Sequence, residues 1–135
     1  MPRRRPPADD SPLAIAVTWK PRTDWHALPL LRRVAAHVAT REGFRHGTLS
    51  IVVVGARAMT TLHARYMNLP EPTDVLTFDL GSDPTAGVVD AEIVVCADVA
   101  RRTARRRSTT QRAAVEELAL YITHGVLHLD RKSVV

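Results

Sequence analysis

The sequence has 135 residues and a mass of 14.9 kDa, which is the size of one globular domain. Its single cysteine, Cys96, excludes an internal disulfide and is expected to be a small buried hydrophobic residue. The net charge is +5, and the five arginines between positions 101 and 107 amount to that whole excess. Such a focused basic patch favours an anionic partner, with nucleic acid first. The alternative is a solvated helix face.

The composition also excludes several classes of protein. Aromatic residues make up 4% of the chain, too few for a fold that reads RNA by stacking bases on an aromatic sheet. No apolar run approaches the ~20 residues of a membrane span. Residues 1–12 are charged and proline-rich without an apolar segment, which predicts a disordered tail rather than a signal peptide. We therefore expect a cytoplasmic protein whose domain covers residues 13–135.

Hydrophobic periodicity predicts the element order β-α-β-α-β-β-α-α. This order predicts a single α+β domain, in which helices pack on a small mixed four-stranded sheet. The loop at 81–87 suggests that the third and fourth strands form a hairpin. Ser108 and Gln111 fit a capping box at the start of the last helix. The predicted strands are 13–19, 48–54, 74–80 and 88–96, and the predicted helices are 29–42, 58–67, 98–106 and 108–129.

The last predicted helix contains the strongest local signal for chemistry. His124 and His128 are four residues apart, which places both imidazoles on one helix face, within reach of a single metal ion. Such a pair is more often structural than metal-binding. A zinc protease would need a glutamate directly after the first histidine, and Gly125 occupies that position. Gly125 either allows close helix packing or leaves room beside a metal for substrate or water.

Two further groups of residues are candidates for a functional site. Arg101 and Arg105, like Arg102 and Arg106, are spaced four apart on the third predicted helix, so these four arginines are expected to form an RNA-binding stripe. Thr73 and Asp74 open the third strand. They either line a cleft beside the histidines or, in the case of Asp74, cap the amides of a turn.

Three ordered blocks, at 72–78, 91–95 and 124–129, resemble the YbeY family of bacterial rRNA maturation endoribonucleases. The resemblance implies a small α+β fold and one zinc ion held by three histidines in a pattern like HGxLHLxGYDH. It also implies cleavage of single-stranded RNA, in maturation of the 16S rRNA 3′ end and in ribosome quality control. His124 and His128 match the first two ligands, and His124 is the expected catalytic residue. The third ligand would fall at Val134, so the C-terminal segment is atypical.

A second departure lies before the first block. The family often carries an arginine after the aromatic residue where this chain has Tyr66-Met67, and an asparagine where it has His63. Two hypotheses follow. The chain is a zinc-dependent endoribonuclease that acts on ribosomal RNA and the ribosome. Alternatively, it is a non-catalytic or C-terminally damaged relative that binds RNA or the ribosome without turnover. Neither hypothesis expects DNA or a membrane as a partner.

Overall fold

The computed structural model describes residues 12–67 and 73–131 and has the element order and α+β class that the sequence predicts. The predicted tail and Val134 lie outside the described residues. Four helices pack on one four-stranded mixed sheet. The strands are β1 (Leu13–Trp19), β2 (His46–Val54), β3 (Val75–Asp79) and β4 (Val88–Cys96), and the helices are α1 (Leu28–Arg41), α2 (Ala56–Met67), α3 (Ala97–Ala104) and α4 (Gln111–Arg131).

The sheet has the strand order β1-β2-β4-β3. β1 and β4 run parallel to β2, and β3 pairs antiparallel with β4 at the sheet edge, which confirms the predicted hairpin. β2 and β4 are the central strands, and both carry long apolar runs because helices cover both of their faces. β1 and β3 are the two edge strands, so each has a neighbour on one side alone.

The helices divide unevenly between the two sheet faces. The larger core joins Leu49, Ile51 and Ile93 of the sheet to buried residues of α1, α3 and α4. The smaller core, on the other face, contains Met59 of α2 and Cys96 of β4. Cys96 is fully buried, as expected from the sequence, and burial raises the pKa of its thiol.

Two local predictions about the last helices are wrong. α3 ends at Ala104, two residues before the predicted end, and the arginines that follow it form a turn. α4 begins at Gln111, and its cap is Thr110 rather than Ser108. The Thr110 hydroxyl accepts a hydrogen bond from the Ala113 N–H at 3.2 Å, because it lies three residues before that amide. Ser108 instead accepts a hydrogen bond from the Thr110 N–H within the turn.

Candidate functional site

α4 lies close against the sheet because Gly125 has no side chain. A Cβ atom at this position would stand 2.9 Å from two methyl groups of Ile93 and 3.2 Å from the Thr77 hydroxyl. These distances are too short for ordinary contact, so the local backbone approach requires glycine. This contact supports the packing interpretation of Gly125. It also places the turn that carries both histidines directly against β3 and β4.

His124 and His128 lie on a cleft of about 340 Å³, which we call the histidine cleft. Both side chains are exposed and stand one helical turn apart. The opposite wall is β3, the edge strand, and Tyr66 from the end of α2 closes one side. The complete lining is Tyr66, Val75, Leu76, Thr77, Phe78, His124, Gly125 and His128.

The backbone of β3 adds polar groups to this cleft. The Cys96 N–H donates to the Asp74 carbonyl at 3.0 Å, and the Leu80 N–H donates to the Asp90 carbonyl at 2.7 Å. In an antiparallel pair, alternate residues direct their backbone groups toward the partner strand. Residues 74 and 80 face β4 in this way, so Val75 and Thr77 direct their N–H and C=O groups toward the open edge.

An aromatic pair, the exposed Tyr66 and the half-buried Phe78, borders the same cleft. The rings of Tyr66 and Phe78 meet edge to face with their centroids 5.1 Å apart, and the Arg65 guanidinium lies 5.7 Å from the Tyr66 ring centroid. Tyr66 is 55% exposed, and an exposed aromatic face beside a cleft is a surface on which a nucleobase can stack. Sequence reasoning placed Tyr66 on the second helix, beside Met67, and gave it no role in the site. Its position at the end of α2, just before the first family block, is the signal that could have placed it here.

Thr73 and Asp74 lie immediately before the strand that lines the histidine cleft. The Thr73 hydroxyl donates to an Asp74 carboxylate oxygen at 3.4 Å, and the Asp74 carbonyl accepts the bond from Cys96 described above. Neither residue belongs to the cleft lining. Their cleft-lining role therefore stays a prediction.

The arginines do not converge on the histidine cleft. Arg101 and Arg105 line a second cavity, at the other end of α4. Arg102 and Arg106 are exposed and line neither space. Arg107, the fifth arginine of the run, forms an intramolecular ion pair with the buried Glu117. The predicted stripe of four arginines is thus divided into a cavity-lining pair and an exposed pair.

The histidine pair is a candidate for part of a zinc site. Two imidazoles one turn apart are suitable zinc ligands, and a catalytic zinc takes three protein ligands and keeps one open position. In the described part of the chain, no group of three or more histidine, cysteine, aspartate or glutamate side chains could hold a metal ion. The valine at position 134 has no donor atom in its side chain. The described residues therefore offer two candidate ligands and do not by themselves complete a three-ligand site.

A mixed sheet with helices on both faces, and two exposed histidines on a cleft at its edge strand, define a small α+β protein with a candidate hydrolase site. The family model "Endoribonuclease YbeY" matches residues 20–130. The chain therefore belongs to the YbeY family, which confirms the resemblance found in the sequence. The match includes His124 and His128 and ends before position 134.

Individual relatives support the same assignment. The chain is similar to endoribonuclease YbeY of Clavibacter sepedonicus, with 37% identity over 109 residues, or 75% of this chain and 69% of the relative. It is similar to endoribonuclease YbeY of Beutenbergia cavernae, with 43% identity over 88 residues, or 60% of this chain and 57% of the relative. The chain spans about half the length of several curated relatives that it matches, including that of Streptomyces griseus, of which 53% is covered.

A solved structure agrees with the fold. The solution structure of a Thermotoga maritima protein matches with a TM-score of 0.60 and 25% sequence identity, covering 86% of this chain and 71% of that one. Among the helices that the structure describes, none has the length and apolar character needed to cross a membrane.

Proposed function

We propose that the chain is an endoribonuclease that cleaves single-stranded RNA in the histidine cleft. The observation that carries this proposal is the pair of exposed histidines, His124 and His128, on a cleft bordered by an edge strand in a member of the YbeY family. Its substrate is ribosomal RNA, at the 3′ end of 16S rRNA, and it also acts in ribosome quality control in the cytoplasm. These finer assignments rest on the family resemblance.

The cleft offers separate contacts to the parts of an RNA strand. Tyr66 presents an exposed ring to a base, and the backbone groups of Val75 and Thr77 offer hydrogen bonds to sugar or base edges. His124 and His128 face the scissile phosphate from α4. Gly125 keeps these imidazoles close to β3, so the strand and the helix contact the RNA from opposite sides of the cleft.

We include one zinc ion per chain in the proposal, with His124 and His128 as its ligands. When bound, zinc lowers the pKa of a coordinated water and neutralises charge on phosphoryl oxygens. A third ligand has to come from outside the described residues, from solvent or from the RNA itself. Loss of one protein ligand of three weakens zinc binding, so we expect lower affinity than in a site with three histidines.

The arginines at 101, 102, 105 and 106 contribute to binding by neutralising RNA phosphates outside the cleft. This contribution is independent of base sequence and decreases with salt. In this proposal the partners are single-stranded RNA and the ribosome, and neither DNA nor a membrane is a partner.

The test measures zinc content and cleavage of a labelled single-stranded RNA by the purified full chain and by His124→Ala. We expect up to one zinc per chain in the wild type, less in the variant, and at least a hundredfold slower cleavage by the variant. His37→Ala is a matched control, because His37 is also an exposed histidine on a helix but lies on α1. Equal cleavage by the wild type and H124A would overturn the assignment of the site.

A second candidate function is RNA or ribosome binding without turnover. The incomplete ligand set, with valine at position 134, favours it. This function predicts salt-dependent RNA binding by the wild type together with no cleavage at any zinc concentration. Cleavage by the wild type at saturating zinc separates the two candidates. The substitution Val134→His then tests whether the missing third ligand limits turnover, and should increase zinc affinity and cleavage if it does.

A further inference from the structure

A second cavity lies at the opposite end of α4 from the histidine cleft. Its volume is about 290 Å³, near the lower end of the roughly 300–1,000 Å³ typical of small-ligand pockets. Ala114 on its wall and His124 in the cleft are ten residues apart, or ~15 Å along the helix. The cavity is lined by Thr23, Asp24, Trp25, Arg101, Arg105, Ser108, Thr109, Thr110, Gln111 and Ala114.

Trp25 holds Arg101 in place at this cavity. The Arg101 guanidinium carbon lies 4.9 Å from the centroid of the Trp25 ring. Trp25 is itself 6% exposed and packs edge to face against Trp19, with the ring centroids 5.1 Å apart. A cation–π contact with the ring uses no hydrogen bond, so the N–H donors of the guanidinium stay available to an anion. Arg101 is therefore held beside Trp25 without a hydrogen bond to it.

Arg105 is the second cation at this cavity. Its N–H donates to the Arg101 carbonyl at 3.1 Å, which continues the turn beyond α3 and keeps both side chains on one side. Among the described residues, neither guanidinium has an ion pair or hydrogen bond from its side chain. The Arg101 guanidinium, held beside Trp25, and the exposed Arg105 guanidinium line one cavity without an internal anion and form a site for an external one.

The remaining lining is compatible with an anion. The carboxylate of Asp24 is already engaged by His26: one oxygen accepts from its backbone N–H at 2.8 Å, and the other lies 3.4 Å from Nδ1. Ser108 and Thr110 bring hydroxyl groups to the wall, with their oxygens 3.0 Å apart. One of these hydroxyls donates to the other, so the remaining O–H can donate to a phosphate oxygen. With two arginines against one aspartate, the charged lining is net positive.

We propose that this cavity, which we call the arginine cavity, binds a phosphate group of single-stranded RNA while another part of the same strand occupies the histidine cleft. The ligand chemistry is a phosphodiester, which two guanidiniums recognise through paired N–H···O bonds. This inference rests on the proposed function for its ligand. α4 links the two sites rigidly, so an RNA that reaches both binds more tightly than one that reaches either alone.

The test compares RNA affinity in three double variants of the full chain that lose the same charge. Arg101→Gln with Arg105→Gln removes both guanidiniums of the arginine cavity. Arg102→Gln with Arg106→Gln removes the exposed pair of the same run. The control, Arg41→Gln with Arg57→Gln, removes exposed arginines of α1 and α2. The probe is a fluorescent single-stranded octanucleotide, titrated over a series of salt concentrations.

We expect R101Q/R105Q to weaken octanucleotide binding roughly tenfold or more, with the salt slope reduced by about 0.7 for each phosphate that is no longer neutralised. R102Q/R106Q should weaken binding by up to about threefold through loss of nearby positive charge, and R41Q/R57Q should weaken it less. Equal weakening by all three pairs would overturn the proposal, because it would show a diffuse basic surface. Arg105→Gln alone keeps the Arg101–Trp25 contact and should still weaken octanucleotide binding, by less than the double variant does. This single variant keeps the proposal testable if R101Q/R105Q does not fold.

Two further measurements distinguish the sources of phosphate and the two proposals. Inorganic phosphate should compete weakly with the octanucleotide for the wild type, and should not compete in this way for R101Q/R105Q. A dinucleotide should bind the wild type less tightly than the octanucleotide does, because it cannot span both sites. Stronger binding of free phosphate than of the octanucleotide would overturn RNA as the ligand. If the wild type cleaves RNA but R101Q/R105Q binds normally, the arginine cavity proposal fails and the nuclease proposal stands. If the wild type does not cleave RNA but R101Q/R105Q loses RNA binding, the nuclease proposal fails and the arginine cavity proposal stands.

Discussion

The two ends of α4 border sites of opposite character. At its N-terminal end, the arginine cavity carries positive charge from Arg101 and Arg105. At its C-terminal end, the described residues that line the histidine cleft with His124 and His128 carry no charged side chain. The charge proposed to attract RNA is therefore separated from the groups proposed to act on it. One helix sets the distance between them.

The ends also differ in how they are held to the domain. The cleft end is fixed by close packing, since Gly125 lies directly on Ile93. The basic end is fixed by polar contacts, because Arg107 pairs with the buried Glu117 and also donates to the Ala113 carbonyl at 3.2 Å. Substitutions that weaken one kind of contact should therefore disturb one end more than the other. The middle of α4 is common to both.

The largest expected effect comes from the middle of the helix. Leu118 is fully buried in the larger core, so Leu118→Ala should lower the free energy of unfolding by about 3 kcal/mol through lost burial and a new cavity. Leu120 is 46% exposed, and Leu120→Ala is the matched control, with an effect within about 0.5 kcal/mol. Urea denaturation measures both. Equal losses of unfolding free energy in the two variants would contradict the conclusion that the packing of Leu118 holds the middle of α4 to the larger core.

The next effect concerns the ion pair at the basic end. The Arg107 side chain is 52% exposed, whereas that of Glu117 is 7% exposed. Arg107→Met leaves a buried carboxylate without its cation and should cost about 2 kcal/mol, because an unpaired buried charge is strongly unfavourable. Glu117→Gln leaves an arginine that still reaches water and should cost about 1 kcal/mol. Denaturation of both variants gives the ranking, and a larger loss for E117Q would contradict it.

A smaller effect is expected at the cleft end. Gly125→Ala gains about 1 kcal/mol of helix propensity. The added methyl group, however, meets Ile93 at 2.9 Å, and overpacking costs about 1–3 kcal/mol. We expect a net loss of about 1 kcal/mol. In an Ile93→Ala background the same substitution should become stabilising, since the opposing methyl groups are gone. A double-mutant cycle measures this coupling. Absence of coupling would show that another contact requires the glycine.

Local patterns in the sequence were sufficient for much of this architecture. The element order follows from hydrophobic periodicity, and the i,i+4 spacing of His124 and His128 places them on one helix face. The cap of α4 was less accessible, because positions 108, 109 and 110 all carry hydroxyls and three-residue spacing fits more than one of them.

The relation between the two sites could not be predicted from local patterns. Arg101 is positioned by Trp25, far earlier in the chain, and α4 is positioned by the contact of Gly125 with Ile93. Both contacts depend on how separate elements pack, which no periodicity encodes. The sequence likewise predicted one stripe of four arginines, whereas in the structure Arg101 and Arg105 line the arginine cavity and Arg102 and Arg106 do not.

The smallest expected effect lies between the two ends, at Tyr121. Burial raises the pKa of its phenol, a hydrogen bond with Thr103 opposes that shift, and the Glu117 carboxylate adds to it. Because the folded state holds this proton more tightly than the unfolded chain, the contribution to stability is complete below about pH 10 and is lost as the pH rises through the folded-state pKa.

The substitution Tyr121→Phe tests this linkage. At neutral pH it should cost about 1 kcal/mol, because the hydroxyl and its hydrogen bonds are removed. Above about pH 10 the wild type loses stability that the phenylalanine variant cannot lose, so the difference between them should shrink. Urea denaturation of both proteins over this range measures it. Cys96, whose pKa burial also raises, titrates in both proteins and cancels from the difference. A difference that stays constant with pH would show that the Tyr121 hydroxyl does not link α4 to Thr103 and Glu117 in the way the structure describes.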